Sequence, residues 1–187
     1  MNPLKNQILE ISRSRGLTHI GSCLSVLPIL EEIYSKKRPE DKVILDNAHA
    51  HLAHLLFLRG EIPEIRLDKY GIHCDRKAGC DATGGSLGHG LGIGIGMALV
   101  NRGRDIYCVV SDGSMHEGSN WEALRIKDKL KLNNLKIYCN FNGYSAVAEI
   151  DRDSLVKRMR TFCEDIEVRY TQNGEEFEGV QGHYRIL

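Results

Sequence analysis

The chain has almost no net charge to offer a partner: 25 lysines and arginines balance 25 aspartates and glutamates over 187 residues. Without a basic or acidic excess there is no overall field to gather nucleic acid or an anionic membrane, so specificity must come from a site. No apolar run approaches the roughly 20 residues a bilayer-spanning helix needs, and the first sixteen residues lack a secretory apolar region. A cytoplasmic protein is expected. The six cysteines include no Cys-x-x-Cys pair, which argues against a zinc ribbon or a redox pair. Cys108 and Cys139 fall inside apolar strand-like runs and read as buried reduced thiols. His73, Cys74 and Cys80 offer metal-binding atoms, but no fourth ligand stands at a sensible spacing.

What is present is the composition of one globular domain, 42% hydrophobic and 27% charged, which excludes disordered, collagenous and low-complexity chains. Periodicity predicts helices over residues 4–15, 24–36, 49–58, 93–100, 118–132 and 153–166. Strands are expected over 42–45, 106–110, 135–141 and 167–170. The glycine-rich stretch 79–96 implies close backbone approach. The tail 171–187 is polar, carries three glycines and shows no periodicity. Alternating strands and helices indicate a single α/β domain over 1–187, a doubly wound, mostly parallel sheet flanked by helices. In such a sheet the ligand sits beyond the carboxyl ends of the strands.

The segment Ser111–Asn142 concentrates the chemistry. Asp112 closes one apolar strand and Asn142 closes the next, so a carboxylate and an amide oxygen meet at neighbouring strand ends. That donor pair suits a hard divalent cation that shares its shell with a phosphate ester. The helix expected from residue 118 would add amide donors and a positive dipole end, and Gly113 permits close approach.

These residues, SDGSMHEGSNWEALRIKDKLKLNNLKIYCNFNGYS, resemble the thiamine-diphosphate-binding half of transketolase, whose motif runs from Gly-Asp-Gly through a helix to a strand-ending Asn. Three upstream stretches resemble the same family. His19 in THIGSCLS matches its Gly-His-x-Gly turn, His49 in LDNAHAHL its Ser-x-Gly-His segment, and His73 in GIHCDR its Gly-His-Pro-Asp-Arg segment. DATGGSLGHGLGIGIGMA is similar to its Ser-Thr-Gly-Ser-Leu-Gly run. The resemblance spans about residues 15–145. Ser111 stands where the motif has its first glycine, adding a hydroxymethyl group at a tight turn, and Gly84 stands in place of a threonine.

The resemblance implies a thiamine-diphosphate-binding fold and a transferase that moves a two-carbon ketol unit between sugar phosphates. By it, Asp112, Asn142 and the Tyr144 carbonyl hold Mg2+, or Ca2+ or Mn2+ in its place. Gly113 contacts the diphosphate and Gly85 and Leu87 cradle the aminopyrimidine, with Ser86, Ser114 and Glu117 completing the cofactor-binding set. His19, His49 and His73 are the catalytic candidates, because imidazoles donate hydrogen bonds and move protons near neutral pH. Glu117 and Glu122 match glutamates at the family's dimer interface, although acidic residues at a helix start also suit the dipole. His51 and His54 read as core or surface residues, and His89 and His116 lie in motifs at positions the family does not use for substrate. His183 is a substitute candidate for a later histidine of the family.

In the family the activating glutamate belongs to a second, pyrimidine-binding domain, for which 187 residues leave no room. The resemblance therefore implies the amino-terminal subunit of a split enzyme, assembled with a carboxyl-terminal transketolase-like subunit as a homodimer or heterotetramer. The alternatives are another thiamine-dependent carboligase or decarboxylase subunit, and a non-catalytic cofactor-binding or assembly protein.

Overall fold

The computed structural model describes residues 2–187 apart from Ala146, with His183 described in its backbone alone. Helix α1 (Pro3–Arg15) opens on Asn2, whose side chain accepts from the Leu4 amide, with Pro3 in the first turn where its missing N–H costs nothing. It closes on Gly16 in the left-handed region. The turn expected through residue 22 is shorter: His19 itself adopts a left-handed conformation (φ 59°), and α2 (Ile20–Lys36) begins directly behind it.

Strand β1 (Lys42–Leu45) leads through a 3-10 turn (Ala48–Ala50) into α3 (His51–Leu55). Helix α4 (Pro63–Tyr70), absent from the sequence expectation, starts on a proline at its first turn. Then follow α5 (Gly90–Val100), β2 (Ile106–Ser111), α6 (Gly118–Leu130), β3 (Leu135–Phe141), α7 (Arg152–Phe162) and β4 (Glu167–Tyr170). The seventh helix stops earlier than periodicity suggests, because the chain must extend to join the sheet at β4.

The four strands lie parallel in the order β1-β2-β3-β4, with helices packed on both faces. Period-two alternation sorts the strand residues. Val43, Leu45, Tyr107, Val109 and Tyr138 face a core completed by α1, α2, α3 and α4. Ile44, Ile106, Cys108, Val110, Ile137, Cys139 and Phe141 face a second core completed by α5, α6 and α7. Burial on both faces explains why β2 and β3 read as continuous apolar runs. Close packing also explains a glycine in the first crossover helix: a Cβ on Gly94 would sit 3.2 Å from the Leu135 side chain.

The irregular tail is docked. Asn173 and Phe177 are buried, and their Cβ atoms lie 3.0 Å from where a Cβ on Gly21 would be. The Tyr184 ring comes within 6.0 Å of the His19 ring. No helix of the described residues is long and apolar enough to cross a membrane.

Candidate functional site

Three strands end side by side, and the residues after them carry polar side chains: Asp46 and Asn47 after β1, Asp112 after β2, Asn142 after β3. A cavity of about 220 Å³ opens over these ends. Of the residues expected from the sequence, His19, His49, His73, Gly85, Leu87, Gly113, Asn142 and Tyr144 line it. The His19 and His49 rings are 4.8 Å apart. A Cβ built on Gly85 would lie 3.7 Å from the His73 ring, so the glycine-rich loop and the third histidine share one wall.

Asp112 is not among the lining residues; it is fully buried between two that are, Ser111 and Gly113. Its carboxylate accepts from the Gly113 amide at 2.9 Å and the Gly143 amide at 2.6 Å. Burial nevertheless pushes its carboxyl up to about 6, against the pull of the Gly143 and Gly113 amides and the Arg152 guanidinium. Asn142 Oδ1 accepts from the Tyr144 amide at 3.0 Å, and the Asn142 carbonyl accepts from Arg152 at 2.9 Å. A desolvated carboxylate beside an amide oxygen that keeps a spare lone pair is a donor set that fits a hard divalent cation.

Ser114 does not line the cavity. Its hydroxyl accepts from the Ser111 amide at 2.8 Å and donates to the Ser111 carbonyl at 2.9 Å, while Ser111 Oγ accepts from the Ser114 amide at 3.0 Å. These reciprocal bonds close a 3-10 turn (Gly113–His116) between β2 and α6. As a result the cavity wall is contributed by Gly113, not by the first turn of α6, where the sequence places the helix dipole. The same bonds show where the hydroxymethyl group of Ser111 goes: it caps the turn. Ser86 and Glu117 are exposed outside the lining. Glu122 is exposed and paired with Arg125. The side chain of His183 lies outside the described residues.

Two residues that the motif reading did not single out also belong to the site. Asp46 is buried, and its carboxylate accepts from the Gly88 amide at 3.0 Å, the Gly90 amide at 2.6 Å and Asn120 Nδ2 at 3.1 Å. It thereby pins the glycine-rich loop and the start of α5 to the end of β1. Asn47 is 1% exposed, lines the cavity, and has neither its Oδ1 nor its Nδ2 hydrogen-bonded among the described residues. The available signal was position: both directly follow a strand.

Comparison with known proteins agrees with this architecture. Residues 2–176 match the family model described as 1-deoxy-D-xylulose-5-phosphate synthase, in its amino-terminal part. The chain is 27% identical to the 6-deoxy-6-sulfo-D-fructose transketolase subunit SqwG of a Clostridium species, over 97% of this chain and 73% of that protein. It is 31% identical to an uncharacterised transketolase family protein of Sinorhizobium fredii, over 71% of this chain and 56% of that protein. It is 30% identical to transketolase of Pongo abelii over 86% of this chain, but spans only 30% of that protein's length.

Proposed function

From the premise that this chain belongs to the transketolase-like family of amino-terminal domains, we propose that it is the diphosphate- and metal-binding half of a two-component, thiamine-diphosphate-dependent transketolase. It would transfer a two-carbon ketol unit between sugar phosphates. The observation that carries this reading is the convergence of His19, His49 and His73 with Leu87, Gly113 and Asn142 on one cavity at the strand ends.

When bound, thiamine diphosphate supplies the carbon–carbon chemistry. Asp112, Asn142 and the Tyr144 carbonyl are the residues to hold its divalent cation, Mg2+ by preference or Ca2+ or Mn2+. Gly113 would contact the diphosphate, and Gly85 and Leu87 would cradle the pyrimidine. The chain's own contribution is hydrogen bonding and proton movement. A neutral imidazole donates from one ring nitrogen and accepts at the other, so three of them around a sugar can hold hydroxyl groups and move a proton near neutral pH. Asn47 offers a further donor and acceptor to the same space.

The activating carboxylate would come from a carboxyl-terminal partner chain, a reading supported by the description of the Clostridium relative as a subunit. The test is calorimetric titration with Mg2+ and thiamine diphosphate, alone and with a co-encoded carboxyl-terminal half, with Asp112→Ala as control. Binding in the mixture that Asp112→Ala abolishes is the expected result. No binding in either sample would leave a repurposed scaffold. A second reading, another thiamine-dependent carboligase, is favoured by the description of the matched family model. Turnover of 2-keto acids rather than ketose phosphates by the assembled pair would select it.

A further inference from the structure

Outside the lining of the cavity, three buried side chains cluster, and a fourth residue, His51, lies on the same helix as one of them. His51 and His54 lie one turn apart on α3, and Cys74 and Cys80 flank the 3-10 turn Arg76–Ala78. All four are buried, none more than 5% exposed. The ligand atoms of His54, Cys74 and Cys80 lie within 4.8 Å of one another, and His51, one turn earlier on the same helix, stands outside that group.

Each imidazole is anchored through the nitrogen that points away. His54 Nε2 is 2.8 Å from the Tyr34 hydroxyl, while its Nδ1 is 3.9 Å from Cys74 Sγ. His51 Nδ1 is 3.1 Å from the Gly71 carbonyl, which can only accept, so Nδ1 carries the proton and Nε2 presents a lone pair. That buried Nε2 makes no hydrogen bond among the described residues. Anchoring one ring nitrogen so that the other presents its lone pair is how metal-binding histidines are oriented.

We infer that His54, Cys74 and Cys80 are three ligands of a structural site for one divalent cation, zinc by the chemistry of its ligands, and that the buried Nε2 of His51 swings in as the fourth. Two sulfurs and two imidazole nitrogens are a tetrahedral zinc set, with ligand atoms about 3.5 Å apart once they share an ion. Closing the three clustered atoms from 4.8 Å is a small side-chain movement, and His51 Nε2 must turn in to join them. Loading displaces one proton from each thiol, so two thiolates balance the ion's two charges and the buried site is electrically neutral. The sequence reading paired the two cysteines with His73 and lacked a fourth ligand. The fold instead turns His73 to the cavity and supplies both ligands from α3.

The ion would clasp two segments that carry cavity histidines: His49 lies just before His51, and His73 directly precedes Cys74. The Cys74 amide already donates to the Ala48 carbonyl at 3.1 Å, and its carbonyl accepts from the Gly84 amide at 2.9 Å. This assignment is independent of the thiamine reading, and its test uses no thiamine. The reduced, chelator-treated full chain is titrated with Co2+ and followed by absorption. Expected are one Co2+ per chain, a sulfur-to-cobalt charge-transfer band with the intense visible bands of a four-coordinate ion, and displacement by one equivalent of Zn2+.

Asp112→Ala and Cys163→Ala should keep the sulfur band, whereas Cys74→Ser and Cys80→Ser should each weaken it and loosen Zn2+ at least tenfold. A wild-type chain that is folded and reduced yet shows no saturable sulfur band would overturn the site. So would a metal-free Cys74–Cys80 disulfide, seen as the loss of two hydrogens in mass, in the chain purified without reductant. Both decisive readouts are made on the wild-type chain, so they do not depend on a variant folding.

Discussion

At the scale of the residue, Asn47 shows what a site costs before it is filled. A buried carboxamide with no hydrogen-bond partner costs on the order of 1–3 kcal/mol for each group left unmade. Asn47→Ala should therefore leave the ligand-free chain at least as stable in urea denaturation. It should also weaken binding of Mg2+ and thiamine diphosphate by about tenfold, or about 1.4 kcal/mol, in calorimetry. Loss of stability with unchanged binding would show that Asn47 serves the fold rather than the ligand. Gly88 illustrates the opposite case. It has φ +85°, and an added Cβ would meet Ser119 Oγ at 2.5 Å and Glu117 Cβ at 2.7 Å. Gly88→Ala should cost about 1–3 kcal/mol in urea denaturation, through strain and displacement of the α6 start. Gly96 lies on an exposed face of α5 with nothing within 4 Å, and there alanine should stabilise by about 0.5–1 kcal/mol.

At the scale of the element, the edge strand β4 is held to α2 by charge. Arg169 donates from Nε to Glu32 Oε2 at 2.9 Å and from Nη2 to Glu32 Oε1 at 3.0 Å, and Lys36 adds a bond at 2.8 Å. The Arg169 guanidinium, with Lys36, holds the Glu32 carboxyl down at about 2. Its folded value lies below the ordinary 4.5, so the stability it contributes is present above 4.5 and is lost as pH falls from there through about 2. The pair is partly exposed, so the contribution is below about 1 kcal/mol. Thermal midpoints measured from neutral pH down to about 2 should show wild type ahead of Glu32→Gln at neutral pH and level with it at the acid end. A difference that persists unchanged in acid would reject ionic docking of β4.

At the scale of the whole molecule, the sheet is shared by two cores, one under α1 to α4 and one under α5 to α7. Adjacent residues of one strand belong to opposite cores, so neither core can melt while the other keeps its strands. Ile29→Ala in the first core and Ile137→Ala in the second should each cost about 2–5 kcal/mol. Both should lower one common urea midpoint, whether followed by Trp121 fluorescence or by far-ultraviolet circular dichroism. Two separated transitions would mean the faces unfold as independent units. Such cooperativity suits a site whose residues come from three strand ends and the glycine-rich loop, since all would be lost or kept together.

Much of this was legible in the chain itself. Apolar runs of strand length at 106–110 and 135–141, separated by a helical period, dictated parallel strands buried on both faces, because only such strands dispense with alternation. The same runs located Asp112 and Asn142 at strand ends, and four ordered motifs pointed to His19, His49 and His73. Helix α4 escaped because its short polar pattern resembles a loop. The start of α2 was misplaced because a left-handed histidine does not announce itself in sequence. Tertiary structure alone decided which polar groups meet. It tied Asp46 to the amides of Gly88 and Gly90, 42 and 44 residues away. It turned Ser114 inward, left Asn47 without a side-chain partner among the described residues, and brought His54 to Cys74 across 20 residues. Hydrophobic period is a local property that a sequence carries openly, whereas the partner of a buried polar group is set by how distant elements pack, and no spacing along the chain records it.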